Sequence, residues 1–296
     1  MRVTDTQFNS MMSRAMMDNN VSINKVAEQI ATGNKINHLS DDPIASYKLQ
    51  GLEKTIASAL QSQKNIASVQ SGYAQYETYM TSFNDVAMDV SDLLLQAQNS
   101  TLDPEAMAGI VTELEALKNE ALSLLNKQSD GVYLFSGTDV NTPAIETTPP
   151  YAFLGNDEQR FTKVDADTTI ANNVTAQDML AGSSEFFNAI DAAIAEIKNP
   201  TGDYTQTLAS AIDVAQSTQR DVMNSVAVLG ANDSTLDRML QNSIDTEHYA
   251  TTLHSSIQEL DYVEASVRLE QSMLTLKAAQ STFMTVMNSP TLFDLM

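Results

Sequence analysis

The sequence contains no cysteine, which excludes disulfides, thiolate metal ligands and thiol nucleophiles from all of its 296 residues. No apolar run approaches the roughly 18 residues that a membrane-spanning helix needs. The first twenty residues, MRVTDTQFNSMMSRAMMDNN, lack the continuous apolar core of a cleaved secretory signal. If the protein leaves the cell, we therefore expect it to use a route that does not read such a signal.

Basic residues are also few, since 16 Lys and Arg stand against 38 Asp and Glu and leave a formal net charge of −22. A surface this negative repels both a phosphate backbone and an anionic lipid surface. The composition therefore argues against nucleic acids and membranes as partners.

Helix-breaking residues are scarce, with 10 glycines and 7 prolines in the whole chain. Both counts lie below average usage, which is about 7 % for glycine and about 5 % for proline. Nine of these seventeen residues fall between positions 131 and 202. We therefore expect long helices on both sides of a middle segment that has a different structure.

A heptad pattern, in which apolar residues alternate spacings of three and four, dominates the segment after Pro43. Asp42 before Pro43 predicts an N-cap followed by proline at the first helical position. A helix from 43 to 99 would be about 85 Å long. Ten consecutive positions of the pattern are apolar: Ile66, Val69, Tyr73, Tyr76, Met80, Phe83, Ala87, Val90, Leu94 and Ala97.

Two further helical tracts follow the same rules. The spacing predicts a helix over 104–129, capped by Asp103 and joined to the preceding helix by a short linker, so that the two pack antiparallel. A third tract over 203–288 repeats apolar residues at heptad spacing, and the pattern leaves open whether Gly230 interrupts it.

Both chain ends carry apolar stripes that lack an obvious partner. Burying five large side chains gives about 7–15 kcal/mol, whereas ordering some thirty residues costs about 30–60 kcal/mol before hydrogen bonds offset part of it. Neither end should persist alone as a helix, so we expect the ends to pack on each other and to complete an assembly interface. The predicted interface residues are Met12, Met16, Ile23, Val26, Ile30, Leu269, Met273, Leu276, Phe283 and Met287.

The breaker-rich middle indicates a small sheet. Val132–Phe135 predicts a strand, and segments 151–154 and 160–164 flank a Gly155-Asn156-Asp157 turn that predicts a hairpin. The expected fold is mainly α, an elongated antiparallel helical rod formed by both chain ends with a small β-rich domain inserted at the far end. We divide it into a terminal coiled-coil region that is disordered in the monomer (1–42 and 256–296), a helical rod (43–130 and 184–255) and an outer insert (131–183).

Several motifs resemble bacterial flagellins and their relatives. The segment 31–45, ATGNKINHLSDDPIA, is similar to the family's amino-terminal motif, whose matching residues here are Gly33, Asn37, Asp41, Asp42 and Pro43. Segment 130–137 resembles its passage from rod to outer domain, and segments 256–262 and 276–283 resemble its carboxy-terminal region. The ending 292–296, the Asp-Asp-Pro triplet and the small insert are most similar to members that join the flagellar hook to the filament.

That resemblance implies an extracellular structural protein that is exported unfolded without signal cleavage. The implied partners are further copies of itself in a ring, flagellin, hook-associated protein 1, an export chaperone and the export apparatus. Two alternatives stay open at this point: flagellin, the bulk filament subunit, and a coiled-coil secretion or signalling adaptor that never polymerises.

Catalytic chemistry finds little support in the sequence. Asp41 and Asp42 could be read as a carboxylate pair, but beside Pro43 and ahead of a helix we interpret them as capping residues. The three histidines, His38, His248 and His254, do not have the spacing of a zinc motif. We therefore expect no enzyme activity, no cofactor and no metal site.

Overall fold

A computed structural model describes residues 2–99, 103–200 and 204–287 of the chain. Helices make up 74 % of the structure, so the expected mainly α class is confirmed. The elements, in chain order, are α1 (Arg2–Thr32), α2 (Pro43–Gln98), α3 (Pro104–Leu125), β1 (Gln128–Ser129), β2 (Val132–Tyr133), β3 (Phe161–Lys163), β4 (Thr169–Ala171), α4 (Ala176–Met179), α5 (Glu185–Lys198), α6 (Tyr204–Gln258) and α7 (Tyr262–Met287).

The chain divides into two compact units. The end unit contains the residues up to Ser58 and those from Asp245 onward, and the central unit contains Ala59–Ile244. The end unit thus joins both chain ends, while the division into three regions at 42, 130, 183 and 255 stays a prediction. No helix in the described ranges has the length and hydropathy needed to cross a bilayer.

The core of the central unit is built on the heptad pattern of α2. All ten apolar positions that the sequence identifies between residues 66 and 97 are buried, as the pattern predicts. Helix α6 contributes a matching row at seven-residue spacing. The buried members of that row are Leu208, Ala215, Val222, Leu229 and Leu236.

Helix α5 packs against α3 and lies in the range 184–255 that was assigned to the helical rod, although no separate helix was predicted before residue 203. Phe186, Ile190 and Ile197 share one face of α5 and are buried. Their spacing of four and seven is the ordinary signal of an amphipathic helix, and it could have been found. Across the contact, Lys118 of α3 forms an ion pair with Asp191 of α5.

The strands of the insert pair differently from the sequence prediction. Strands β1 and β2 form one antiparallel pair, and β3 and β4 form another. The predicted hairpin around Gly155 is wrong, because Phe153 bridges to Ile145 while Phe161–Lys163 pairs with Thr169–Ala171. The strand predicted at Val132–Phe135 is also shorter and ends at Tyr133.

Tyrosines of α2 hold the insert on the central unit. The Tyr76 hydroxyl donates to the carbonyl of Leu134 at 2.9 Å, and the Tyr73 hydroxyl donates to the carbonyl of Ala171. Burial raises the pKa of Tyr76, although the Arg160 guanidinium beside it acts in the opposite direction. The two tyrosine hydroxyls therefore hold the insert through its main-chain carbonyl groups, which matters because its strands are only two or three residues long.

The long return tract is interrupted, but not at Gly230. Gly230 lies on an exposed face within α6, and the tract breaks instead at residues 259–261, between α6 and α7. Two helix ends also differ from expectation. Helix α3 ends at Leu125, and Asp103 stands at its N-cap without a side-chain capping hydrogen bond.

Candidate assembly site at the chain ends

Helices α1 and α7 pack against each other in the end unit. Asn19 Nδ2 donates to the carbonyl of Ser272 at 3.1 Å, and Gly33 lies next to Tyr262. Moving back along α1 therefore corresponds to moving forward along α7, so the two helices are antiparallel. Their buried cluster is small, with Val26, Leu260 and Ala265 at its centre and Ile30 and Leu269 packed against it.

The predicted interface residues of α1 lie on the face that meets α7. Val26 is buried, and the other four are partly buried: Met12, Met16, Ile23 and Ile30. On α7 the residues that turn inward follow the same alternating spacing. They are Ala265, Leu269, Ser272, Leu276, Ala279 and Phe283. We call these two rows the inner seam.

One predicted member does not belong to the inner seam. Met273 is 54 % exposed. Its neighbour Ser272 occupies the place in the inner seam that the sequence pattern had assigned to Met273. Both choices keep heptad spacing after Leu269, so periodicity alone could not select between them. The side chain of Met287 lies outside the described residues. Whether any of these residues contacts a neighbouring subunit stays a prediction.

The loop after α1 is tied to the break between α6 and α7, and we call this contact the joint. Gly33 ends α1 with a left-handed φ of 74°, as a C-cap requires. The Lys35 N–H donates to the carbonyl of Gln258 at 2.7 Å, and the Leu260 N–H donates to the carbonyl of Gly33 at 3.1 Å. Two segments more than 220 residues apart in sequence thus meet as a short antiparallel bridge.

Asp41 organises the loop of the joint. Its Oδ1 lies 2.9 Å from Lys25 Nζ, and its Oδ2 accepts the backbone N–H groups of Asn37 and His38. The hydrogen bond from Lys25 and then the backbone donor at His38 lower the pKa of Asp41 to about 2. The side chain is therefore an anion that folds its own loop, and it draws that loop towards α1.

Two aspartates cap the helices that leave the joint. Asp42 Oδ1 accepts the N–H groups of Ile44 and Ala45 at the start of α2, which is the capping that the sequence analysis assigned to it. Asp261 Oδ1 accepts the N–H groups of Val263 and Glu264 at the start of α7. The second cap was not predicted from the sequence, although an aspartate followed three residues later by glutamate is a known start signal.

A polar cavity of about 530 Å³ opens between α1, the loop and α7. Its cationic lining residues are Lys25, Lys35 and Arg268, of which Lys25 pairs with Asp41 and Arg268 pairs with Glu264. Most of this charge is therefore satisfied by the chain's own carboxylates. We interpret the cavity as the polar side of the joint.

The geometry favours the capping interpretation of Asp41 and Asp42. Each carboxylate is committed to backbone donors, and the two serve different elements. In the described parts of the chain, no group of three or more His, Asp or Glu side chains is placed to hold a metal ion. The arrangement is that of a structural joint.

Comparisons with known proteins agree with the motifs. Residues 4–140 match the family model described as the bacterial flagellin N-terminal helical region. The flagellar hook-associated protein 3 of Escherichia coli strain K12 is 26 % identical over an alignment of 296 positions that covers 92 % of each chain. The protein of the same name from Salmonella typhimurium is 23 % identical over an alignment of 299 positions, which again covers 92 % of each chain.

Solved structures with the same fold carry related names. A flagellar hook-associated protein from Vibrio parahaemolyticus has a TM-score of 0.71 and 28 % identity, and the match covers 74 % of this chain and 100 % of that one. Hook-associated protein 3 from Legionella pneumophila has a TM-score of 0.63 at 14 % identity, covering 70 % and 98 %. These findings confirm the resemblance to the flagellin family and narrow it to hook-associated protein 3.

Proposed function

We propose that this chain is a structural subunit of the bacterial flagellum that joins the hook to the filament, as its likeness to hook-associated protein 3 indicates. The observation that supports it best is that both curated relatives of that name align over 92 % of each chain, so the likeness extends over nearly the whole chain. The subunit acts by assembly of its terminal helices. It has no catalytic role, and it needs no cofactor or metal.

The end unit supports this proposal because the contact between α1 and α7 buries few side chains. Three buried residues, Val26, Leu260 and Ala265, form the centre of the cluster between α1 and α7. At about 1.5–3 kcal/mol for a large side chain, this burial offsets little of the cost of ordering α1 and α7, at about 1–2 kcal/mol per residue. We infer that the terminal regions, 1–42 and 256–296, are mobile in the monomer and gain order in the assembly.

The partners follow from the same assignment. The subunit forms a ring with its own copies, contacts hook-associated protein 1 on one side and flagellin on the other, and is delivered by an export chaperone and the flagellar export apparatus. It works outside the cell and leaves it without a cleaved signal. Nucleic acids and membranes are not among its partners, since the net charge is −22.

Deletion of the gene in the source bacterium tests the assignment. The expected phenotype is bare hooks, loss of swimming and flagellin shed into the medium, because filament subunits have nothing to dock on. The wild-type chain should restore filaments, and so should a control with the exposed substitution Lys54→Glu. Normal filaments after deletion would refute the junction role.

Stoichiometry and mixing separate the two alternatives. A bulk filament subunit is the major protein of isolated filaments, whereas a junction subunit is scarce in them. A secretion or signalling adaptor stays monomeric when mixed with purified flagellin and hook-associated protein 1. The curated relatives that match this chain are named as hook-associated proteins, which favours the junction role over both alternatives.

The mobility of the ends has its own test. Brief proteolysis of the dilute monomer should remove residues from both termini and leave Ala59–Ile244, the central unit, intact. Termini that stay protected at low concentration would contradict the proposed coupling of folding and assembly.

A further inference from the structure

Helix α7 has a second apolar row on the side opposite the inner seam. Val263 is 76 % exposed, Val267 is 51 % exposed and Leu274 is 60 % exposed. Their spacing of four and seven places them on one face, which also contains Glu270 and Lys277. An isolated helix pair normally presents polar residues on this outer face. We call this row the α7 outer stripe.

Helix α1 carries a shorter row of the same kind. Met17 is 64 % exposed and Val21 is 67 % exposed. Arg14 lies on the same face, about one turn before Met17. We call these three residues the α1 outer stripe. Because α1 and α7 use their inner seams on each other, the two outer stripes face away from the pair in different directions.

The two outer stripes match each other in one antiparallel register. When Glu270 is set opposite Arg14, the same register sets Val267 opposite Met17 and Val263 opposite Val21. Antiparallel helices keep this correspondence because each step forward on one is a step back on the other.

The charges at the end of that register have no partner in the described part of the chain. Neither Arg14 nor Glu270 has an ion-pair or hydrogen-bond partner among the described residues, whereas Arg268 pairs with Glu264 and Lys25 pairs with Asp41. An opposite charge supplied by another molecule would therefore be a new interaction, with nothing to displace.

We propose that the α7 outer stripe of one copy packs antiparallel on the α1 outer stripe of a second copy, with Glu270 of one facing Arg14 of the other. This contact rests on the proposed function and assigns its subunit-facing residues to a face other than the inner seam. Because the two stripes face away from the helix pair in different directions, one neighbour does not cover both of them and the contact is heterologous. The series of contacts then continues until it closes into a ring or extends as a helix.

The charge of the amino-terminal segment favours a second copy as the occupant. Residues 1–58 carry six acidic and six basic residues, although the whole chain has a net charge of −22. Copies can therefore approach through α1 without the repulsion that their remaining surface imposes.

Disulfide trapping tests the contact, since the natural chain has no cysteine that could interfere. Full-length Val21→Cys and Val263→Cys variants are mixed, driven together with ammonium sulfate and oxidised. The mixture should give a disulfide-linked dimer, and neither variant alone should do so. The control Thr275→Cys, on another exposed face of α7, should not link to Val21→Cys. Homodimers from either variant alone, or no link in the mixture, would overturn the proposal.

A charge exchange in the same assay tests the register. Arg14→Glu in the Val21→Cys partner places two carboxylates together, and we expect the yield of linked dimer to fall about threefold to tenfold. Glu270→Arg in the other partner should restore it. Lys54→Glu, an exposed change of equal charge on α2, should leave the yield unchanged. A control that lowers the yield equally, or failure of the second exchange to restore it, would contradict the register.

The results separate this proposal from the proposed function. Bare hooks on deletion together with an absent link keep the junction role and overturn the stripe contact. A specific link together with normal filaments on deletion keeps the stripe contact and refutes the junction role.

Discussion

Replacing Gly33 by alanine would test whether the joint depends on its backbone geometry. Gly33 has a φ of 74°, and its carbonyl accepts the Leu260 N–H that ties α1 to the α6–α7 break. A Cβ at this position would lie 2.8 Å from the hydroxyl oxygen of Tyr262. The substitution therefore adds a conformational cost and a contact at the same point.

The conformational cost should dominate. A residue with a Cβ pays about 1–2 kcal/mol in the left-handed region. Alanine also lowers the conformational entropy of the unfolded chain relative to glycine, and this offsets about 0.4–1 kcal/mol of that cost. Tyr262 is 54 % exposed, so its ring can turn away from the added carbon. We expect Gly33→Ala to destabilise the joint by about 1 kcal/mol, or roughly fivefold in its opening equilibrium.

Hydrogen exchange of the full chain, assembled with ammonium sulfate so that its terminal regions are ordered, measures this opening directly, because the Lys35 and Leu260 amides donate across the bridge. Both amides should exchange roughly fivefold faster in Gly33→Ala. A double variant that also carries Tyr262→Phe should behave like the single variant if the backbone sets the cost.

Gly230→Ala is the matched control. Gly230 lies within α6, and a Cβ there would meet nothing within 4 Å. The same chemical change should stabilise α6 by about 0.5–1 kcal/mol, and thus slow local exchange. Unchanged or slower exchange at Lys35 and Leu260 in Gly33→Ala would refute the reasoning about the joint.

Further substitutions test the charges, caps and core. Asp41→Asn should speed exchange of the His38 amide at neutral pH. In the natural chain the same loosening should occur only as the pH falls from about 4 through 2. The folded chain lowers the pKa of Asp41 from 3.8 to about 2, so the ionised carboxylate stabilises the fold above the unfolded value and that stabilisation is lost on protonation. Asp42→Ala should destabilise the start of α2 by about 1 kcal/mol in exchange measurements, with no effect if the cap is unimportant. Phe83→Ala should lower the free energy of unfolding of the central unit by about 3–5 kcal/mol in urea titrations, because Phe83 is 0 % exposed; a loss below about 1 kcal/mol would contradict its place in the core.

The long helices could be predicted because their information is local. In α2, the ten heptad positions that the sequence identifies are all buried, and Asp42 before Pro43 marks the start of the helix. A helix repeats its face every few residues, so a short window of sequence already contains the pattern. The same property would have revealed α5, whose apolar face spans Phe186 to Ile197.

The insert could not be predicted with equal success because its pairing is not local in the same way. Turn residues around Gly155 suggested one hairpin, but β3 turns back through Asp165–Asp167 to pair with β4. Strands of two or three residues carry almost no alternation of their own. Their register is set by contacts with α2, such as the bond from Tyr73 to Ala171, which a single sequence does not display.

In the candidate site, too, local features could be predicted from the sequence and tertiary contacts could not. Gly33, Asp41 and Asp42 were found from the sequence because caps and turns leave local signatures. The partner segment at 259–261 was not found, since its role depends on a bridge to residue 34 across the whole length of the chain. The choice between Ser272 and Met273 depended on where α1 lies, which is again tertiary information.

Charge distribution supports the proposal that the end unit is the part that assembles. Residues 59–244 carry 25 acidic and 8 basic residues, whereas residues 1–58 carry six of each and residues 245–296 carry seven acidic and two basic residues. At physiological ionic strength, exposed charges act over about 8 Å, which is close to the 8–10 Å between packed helix axes. Copies joined through a balanced α1 therefore avoid the strongest repulsion, and an acidic central unit still opposes contacts elsewhere. Because the cluster between α1 and α7 is small and several large apolar side chains of these helices are exposed, the proposed association with neighbouring copies would supply stability that internal packing does not.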